Sequence, residues 1–231
     1  MEIRAVNTKG KRMNVEIWSD VMCPFCYIGK RNFESALARF PRRDEIVVEW
    51  KSFQLNPDVE TDQTKSVNEY LAEHKGISVE QAKRMNERVT AMANDVGLHY
   101  DFDRAIVANS FDAHRLSHYA KLRGRQNEME ERLFKAYFTE GENTADHETL
   151  VRLAADVGLD AAEVREVLNS DRFADDVVKD EYEAQQVGAR GVPFFVFDDR
   201  YAVSGAQPEQ LFLQVLEKLF IEQDNIKNDT A

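Results

Sequence analysis

The stretch "SDVMCPFCYIGK", residues 19–30, holds both cysteines of a 231-residue chain, two positions apart. Before it, "MNVEIW" alternates, with Val15 and Ile17 on one face and Glu16 and Trp18 on the other, which is the period of a strand. After it, Phe33, Leu37 and Phe40 recur at helical spacing and Pro41 stops the helix. "EIVVEWKSFQLNP" is β-branched and aromatic up to Asn56-Pro57 and predicts a second strand. Cys23 and Cys26 therefore stand where a strand turns into a helix, inside a β-α-β unit whose crossover is right-handed.

From Lys65 to about Ser170 the pattern predicts helices and no strand. Val79, Ala82, Met85, Val89, Met92 and Val96 form one apolar stripe. Further helices are expected at roughly 109–123, 127–139, 147–157 and 161–168. "DVGL" occurs twice, at 95–98 and 156–159, and reads as a shared helix ending with Gly97 and Gly158 as left-handed caps. Asp160 and Glu163 have the spacing of a capping box. A helix from Arg172 ends at Gly188, and "GVPFFVFDDRYAVSG" predicts a hairpin of 194–197 and 201–204 turning at Asp198-Asp199-Arg200. A last helix from Pro208 is expected to carry Leu211, Val215 and Leu219 inward.

Neither group of strands is large enough to stand alone, so the expectation is one α/β domain interrupted by an all-helical insertion. The boundaries are a polar arm at 1–12, a first half at 13–64, the insertion at 65–171, a second half at 172–222 and a polar tail at 223–231. A net charge of −12 argues against nucleic acid or an anionic membrane surface as partner. The N-terminus lacks the apolar core of a secretory signal, and no window approaches a membrane span. The expected compartment is the cytoplasm, where structural disulfides are rare.

Three chemistries compete for the pair. Two buried thiols can be inert, since free cysteine behaves as a small hydrophobe. Zinc would need His114 and His118, one helical turn apart, to complete a tetrahedral set with Cys23 and Cys26. That reading makes the chain a zinc-stabilised binding module, and the Pro24-Phe25 dipeptide is a poor zinc knuckle. The third chemistry is redox. At the N-cap of a helix, with Pro24 in the first position, the Cys23 sulfur faces the amides of Phe25 and Cys26. Those donors and the helix dipole favour a thiolate at Cys23, while Cys26 gains no such donors.

Pro193 precedes an apolar strand, where a trans proline would only cost a ladder donor. Alone, Pro193 reads as an ordinary strand-entry proline; taken together with the C-x-x-C pair, a cis Val192–Pro193 bond is the expectation. "SDVMCPFCYIGK" followed by "GVPFFVF" resembles the DsbA-like branch of the thioredoxin superfamily, in particular its FrnE-like subgroup, over about residues 15–220. "NSFDAHRLSHYA", residues 109–120, resembles a helix of the insertion in FrnE-like proteins and 2-hydroxychromene-2-carboxylate isomerases.

The resemblance implies a thioredoxin-like fold with a helical insertion and a thiol–disulfide oxidoreductase. It implies that Cys23 attacks, Cys26 resolves and Pro193 is the cis-proline facing them. Val192 would pair with a bound substrate strand, next to Pro24 and Phe25. Apart from the resemblance, His114 and His118 are expected either to line the cleft between insertion and sheet, with His114 toward substrate, or to lie on a solvated helix face. The chain departs from periplasmic DsbA proteins at Phe25, where they carry histidine, and from the isomerases at Cys23, where they carry serine. A glutathione-dependent isomerase or transferase on small aromatic substrates is the alternative enzyme class. No metal, flavin or nucleotide is expected, since neither G-x-G-x-x-G nor P-loop spacing occurs. The expected partners are protein or small-molecule thiols and disulfides, with glutathione as a redox partner.

Overall fold

The computed structural model describes residues 12–229. The arm expected at 1–12 thus lies almost wholly outside the described residues. β1 (Met13–Ser19) leads through the cysteine turn into α1 (Pro24–Arg39), and β2 (Ile46–Ser52) returns parallel to β1, pairing Met13 with Ile46 and Ser19 with Ser52.

Far along the chain, β5 (Phe194–Phe197) joins the other side of β1 antiparallel, and β6 (Tyr201–Ser204) closes the hairpin. The sheet order is β2-β1-β5-β6. Asp198 and Asp199 turn the hairpin with φ of 49° and 56°. Short polar side chains tolerate that left-handed region, and its twist suits adjacent strands.

The sheet is covered on both faces. On one, Val15 and Ile17 of β1 and Phe195 and Phe197 of β5 pack with Phe33 of α1 and Phe212 of α9 (Glu209–Asp229). On the other, Trp18, Phe194 and Val196 pack on Ala184 of α8 (Ala174–Gln186). A four-residue strand buried on both faces explains why "FFVF" is apolar throughout instead of alternating.

The outer edge of β2 is closed by side chains. Gln126 accepts from the Trp50 N–H at 3.1 Å and donates to the Trp50 carbonyl at 2.9 Å, so one side-chain amide replaces a missing strand.

The insertion is built from α2 (Val67–Lys75), α3 (Val79–Asp95), α4 (Phe111–Leu122), α5 (Gln126–Lys135), α6 (His147–Asp156) and α7 (Ala161–Leu168). A short antiparallel ribbon, β3 (Asp62–Ser66) with β4 (Ile106–Val107), spans the expected boundary at 64/65 and reaches into the stretch where no strand was expected. A two-residue strand paired across some forty residues leaves no periodicity to read.

The stripe on α3 is corrected as well. Ala82, Asn86 and Ala93 are buried, whereas Val79, Met85 and Met92 are exposed. Asn86 turns inward because its amide donates to Asn68 at 2.9 Å. Gly97 and Gly158 do take left-handed φ, with Leu98 and Leu159 bonded back to Ala93 and Ala154.

Asp160 caps α7, but the reciprocal half of the expected box is missing, because Glu163 bonds to Tyr119 and Arg123. In α9 the inward residues are Phe212, Leu216 and Leu219, and Leu211 is exposed. The helix also runs on to Asp229, through most of the stretch expected as a tail. Propagating a formed helix costs little per residue, and Arg42 holds Asp224 at 2.8 Å.

Candidate functional site

Cys23 is the N-cap of α1, with extended backbone (φ −89°, ψ 110°) and Pro24 following at the first helical position. Its sulfur, however, accepts from no helix amide. The Cys26 N–H donates to the Cys23 carbonyl at 3.0 Å instead, and the Cys23 thiol donates to the Val192 carbonyl at 3.5 Å. A neutral S–H is a donor seeking an acceptor. Both thiols are free.

The pair is nonetheless unequal. Cys23 is 4% exposed and Cys26 is 0% exposed. Burial pushes the Cys26 thiol well above its ordinary pKa, and the hydrogen bond with the Cys23 sulfur adds to the rise. The Asp20 backbone N–H, directed at the Cys26 sulfur, works the other way.

The Val192–Pro193 bond is cis, as expected, and places the Val192 carbonyl over Cys23. Gly29 makes this approach possible: a Cβ there would meet Pro193 Cγ at 3.0 Å. Glycine inside a helix costs about 1 kcal/mol against alanine, which is the signal in "CYIGK" that helical periodicity alone passes over. Phe25, on the outer side of the turn, is 38% exposed.

Three elements anchor the turn. The Tyr100 hydroxyl, buried under the first turn of α1, donates to the Pro24 carbonyl at 2.7 Å. Its pKa is raised, first by burial and then by the nearby Cys23 and Tyr27. Tyr27 stacks on Phe134 at 5.0 Å and Tyr100 stacks on Phe138 at 4.6 Å, which fastens α1 to the insertion. Asp20, fully buried, accepts from the Leu55 N–H at 2.8 Å and the Met22 N–H at 3.3 Å. None of Asp20, Gly29 and Tyr100 was singled out by sequence spacing. For Asp20 the cue was an Asx residue closing a strand at a turn.

His114 and His118 do not meet the cysteines as ligands. His118 Nε2 lies 3.1 Å from both Asp180 Oδ2 and Ser52 Oγ. His114, expected to line a substrate cleft, is 2% exposed, with Nε2 3.6 Å from Asp20 Oδ1. Helix α4 is buried on several sides, so neither imidazole reaches a solvated face. Among the described residues no group of three or more His, Cys, Asp and Glu is placed to hold a metal ion. Among them, too, no helix is long and apolar enough to cross a membrane.

A β-α-β start, a helical insertion and a cis-proline hairpin facing a C-x-x-C helix N-terminus define a protein of the thioredoxin fold with a DsbA-like insertion. The chain belongs to the DSBA-like thioredoxin domain family, whose model matches residues 14–217. It is similar to the crystal structure of a probable DsbA oxidoreductase from Streptomyces coelicolor, at 44% identity and a TM-score of 0.85, covering 91% of each chain. In fold it also resembles the cytosolic disulfide reductase DsbM of Pseudomonas aeruginosa in a complex with GSH, at 18% identity and a TM-score of 0.64, covering 90% of this chain and 98% of that one. A 2-hydroxychromene-2-carboxylate isomerase has the same fold, at 15% identity and a TM-score of 0.65, covering 94% of this chain and 99% of that one.

Proposed function

We propose that this protein is a thiol–disulfide oxidoreductase working through Cys23 and Cys26. The observation that carries the reading is the placement of Cys23 Sγ, 3.5 Å from the Val192 carbonyl beside a cis-proline, with Cys26 buried one turn below. The Cys23 thiolate attacks one sulfur of a substrate disulfide; the other sulfur leaves as a thiolate and takes up a proton. Cys26 then loses its proton and attacks Cys23, forming the Cys23–Cys26 disulfide and expelling the second substrate thiol. Two electrons pass from the pair to the substrate, and the reverse sequence donates a disulfide.

Val192 and the exposed Phe25 border the incoming chain. Glutathione is a fitting redox partner, since the P. aeruginosa reductase of the same fold is described with GSH. The site needs no metal or organic cofactor for this exchange. We assign the reaction to the cytoplasm, where a disulfide on such a pair is transient and catalytic instead of structural.

The test is a trap. Cys26→Ser incubated with oxidised glutathione should accumulate a stoichiometric mixed disulfide on Cys23, visible by intact mass, while Cys23→Ser should not. Absence of the adduct, or turnover of an aromatic isomerase substrate by the double Cys→Ser variant, would overturn the reading.

A further inference from the structure

The oxidoreductase reading gives Cys23 its roles but leaves one feature of the core unused. A buried imidazole from the insertion stands against a buried carboxylate in the cysteine turn, and its Nε2 makes no hydrogen bond of ordinary length, with Asp20 Oδ1 3.6 Å away. Leaving a buried polar atom unpaired costs about 1–3 kcal/mol, so a chain that keeps one calls for a reason.

Asp20 engages the turn through every polar group it has. Its carbonyl accepts from the Cys23 N–H at 3.0 Å, and its own N–H points at the Cys26 sulfur. Its carboxylate takes the Met22 and Leu55 amides, which ties the turn to the end of β2. The His114 imidazole of the insertion stands 3.6 Å from that carboxylate.

We propose that His114 and Asp20 form a positioning pair that holds the cysteine turn so that buried Cys26 can reach the mixed disulfide, coupling the helical insertion to the resolving step. The inference rests on the oxidoreductase reading above. His114 touches no reacting atom; it acts through Asp20. The Cys23 thiol rests against the Val192 carbonyl, and Asp20 holds only the Cys23 backbone N–H, through a main-chain carbonyl that a change at His114 leaves in place.

The pairing also fixes a pH dependence. The charged groups facing His114 are Asp20 in the turn, Glu130 on α5 and Glu181 on α8. Burial opposes the charged imidazole, but these carboxylates outweigh it and raise the His114 pKa. Tyr137 faces Asp20 from the insertion and is held neutral by burial. With its folded pKa raised, the imidazolium is fully present below its ordinary pKa and is lost as pH rises through the raised value. Cys26 ionises more as pH rises. The two effects oppose each other, so the resolving rate should climb with pH less steeply than Cys26 alone dictates, with an inflection.

The experiment is the reaction of the full reduced chain with 5,5′-dithiobis(2-nitrobenzoate). Attack by Cys23 releases one coloured thiolate, and resolution by Cys26 releases a second. In His114→Gln the first phase should keep its rate while the second slows about ten-fold, the middle of the range for contacting residues, and in Asp20→Asn the second phase should slow at least as much. The double variant should be no slower than the slower single, as for residues that act as a unit. His114→Gln should also lose the inflection.

Equal slowing of both phases, additive effects or an unchanged second phase would overturn the pairing. If His114→Gln does not fold, the natural protein decides: a second phase without inflection between about pH 6 and 9 overturns it. Failure of the natural protein to release even the first equivalent would instead sink the oxidoreductase reading itself.

Discussion

The Cys23 thiol donates to the Val192 carbonyl at 3.5 Å, across 169 positions of sequence. That contact adds to the β1–β5 ladder that joins the two halves of the sheet layer, and it does so at the cysteine turn. Cys26, one helical turn away, has no access to solvent. The contrast between the two thiols is positional before it is electrostatic.

Alkylation should therefore separate them. Only the thiolate reacts, and burial holds the Cys26 thiol protonated well above its ordinary pKa. With iodoacetamide at mildly acidic pH, peptide mapping should find Cys23 labelled much faster than Cys26. Equal labelling would contradict the arrangement.

Phe25 gives a second test. It is partly exposed beside Cys23 and carries no charge. Phe25→His places a partly protonated imidazole there, which favours the thiolate and so the reduced pair. A shift of about 30 mV corresponds to 1.4 kcal/mol for this two-electron couple. The variant should be more oxidising in a glutathione redox buffer, and the gain should shrink where the imidazole is neutral. A lower potential would mean that position 25 does not act on Cys23.

Asp180 offers a stability test away from the chemistry. It is buried, with Lys51 Nζ 3.1 Å from Oδ1, His118 3.1 Å from Oδ2 and the Ser52 N–H donating at 2.8 Å. One side chain thus binds α8 to β2 and to α4. Asp180→Ala leaves these donors buried without it and should cost about 3 kcal/mol, read as a lower urea midpoint at unchanged m-value. A loss below about 1 kcal/mol would show that Lys51 is fully compensated by its other carboxylates.

Acid should expose a different cluster. Burial works against the Glu131 charge, but Arg31, Lys30 and the Tyr27 hydroxyl more than offset it and hold its pKa at about 2. A lowered folded pKa contributes stability that is present above the unfolded value, near 4.5, and is lost as pH falls through about 2. Glu131→Gln should be less stable than the natural protein at neutral pH, and the two should converge at about pH 2. Partial exposure screens the pair, so the neutral-pH difference should shrink in salt. A difference independent of pH would assign Glu131 a packing role only.

Much of this was legible along the chain. The alternation of Val15 and Ile17, the helix after Pro24 and the hairpin from Phe194 to Ser204 follow from local periodicity and turn chemistry. Those signals are short-range, and the residues that carry them stand next to one another. The cis-proline before the hairpin was readable only beside the distant C-x-x-C. What the tertiary structure decided is which groups meet. Asp20 with His114, Asp180 with His118 and Trp50 with Gln126 are contacts between distant segments.

The same limit explains the misread faces of α3 and α9, where exposed Met85 and Leu211 looked like core. An apolar side chain gains from burial only where another element covers it. Periodicity shows that a helix has a face, but not which neighbour lies against it. The direction of the Cys23 sulfur was settled in the same way, by a carbonyl that only the folded chain brings within reach.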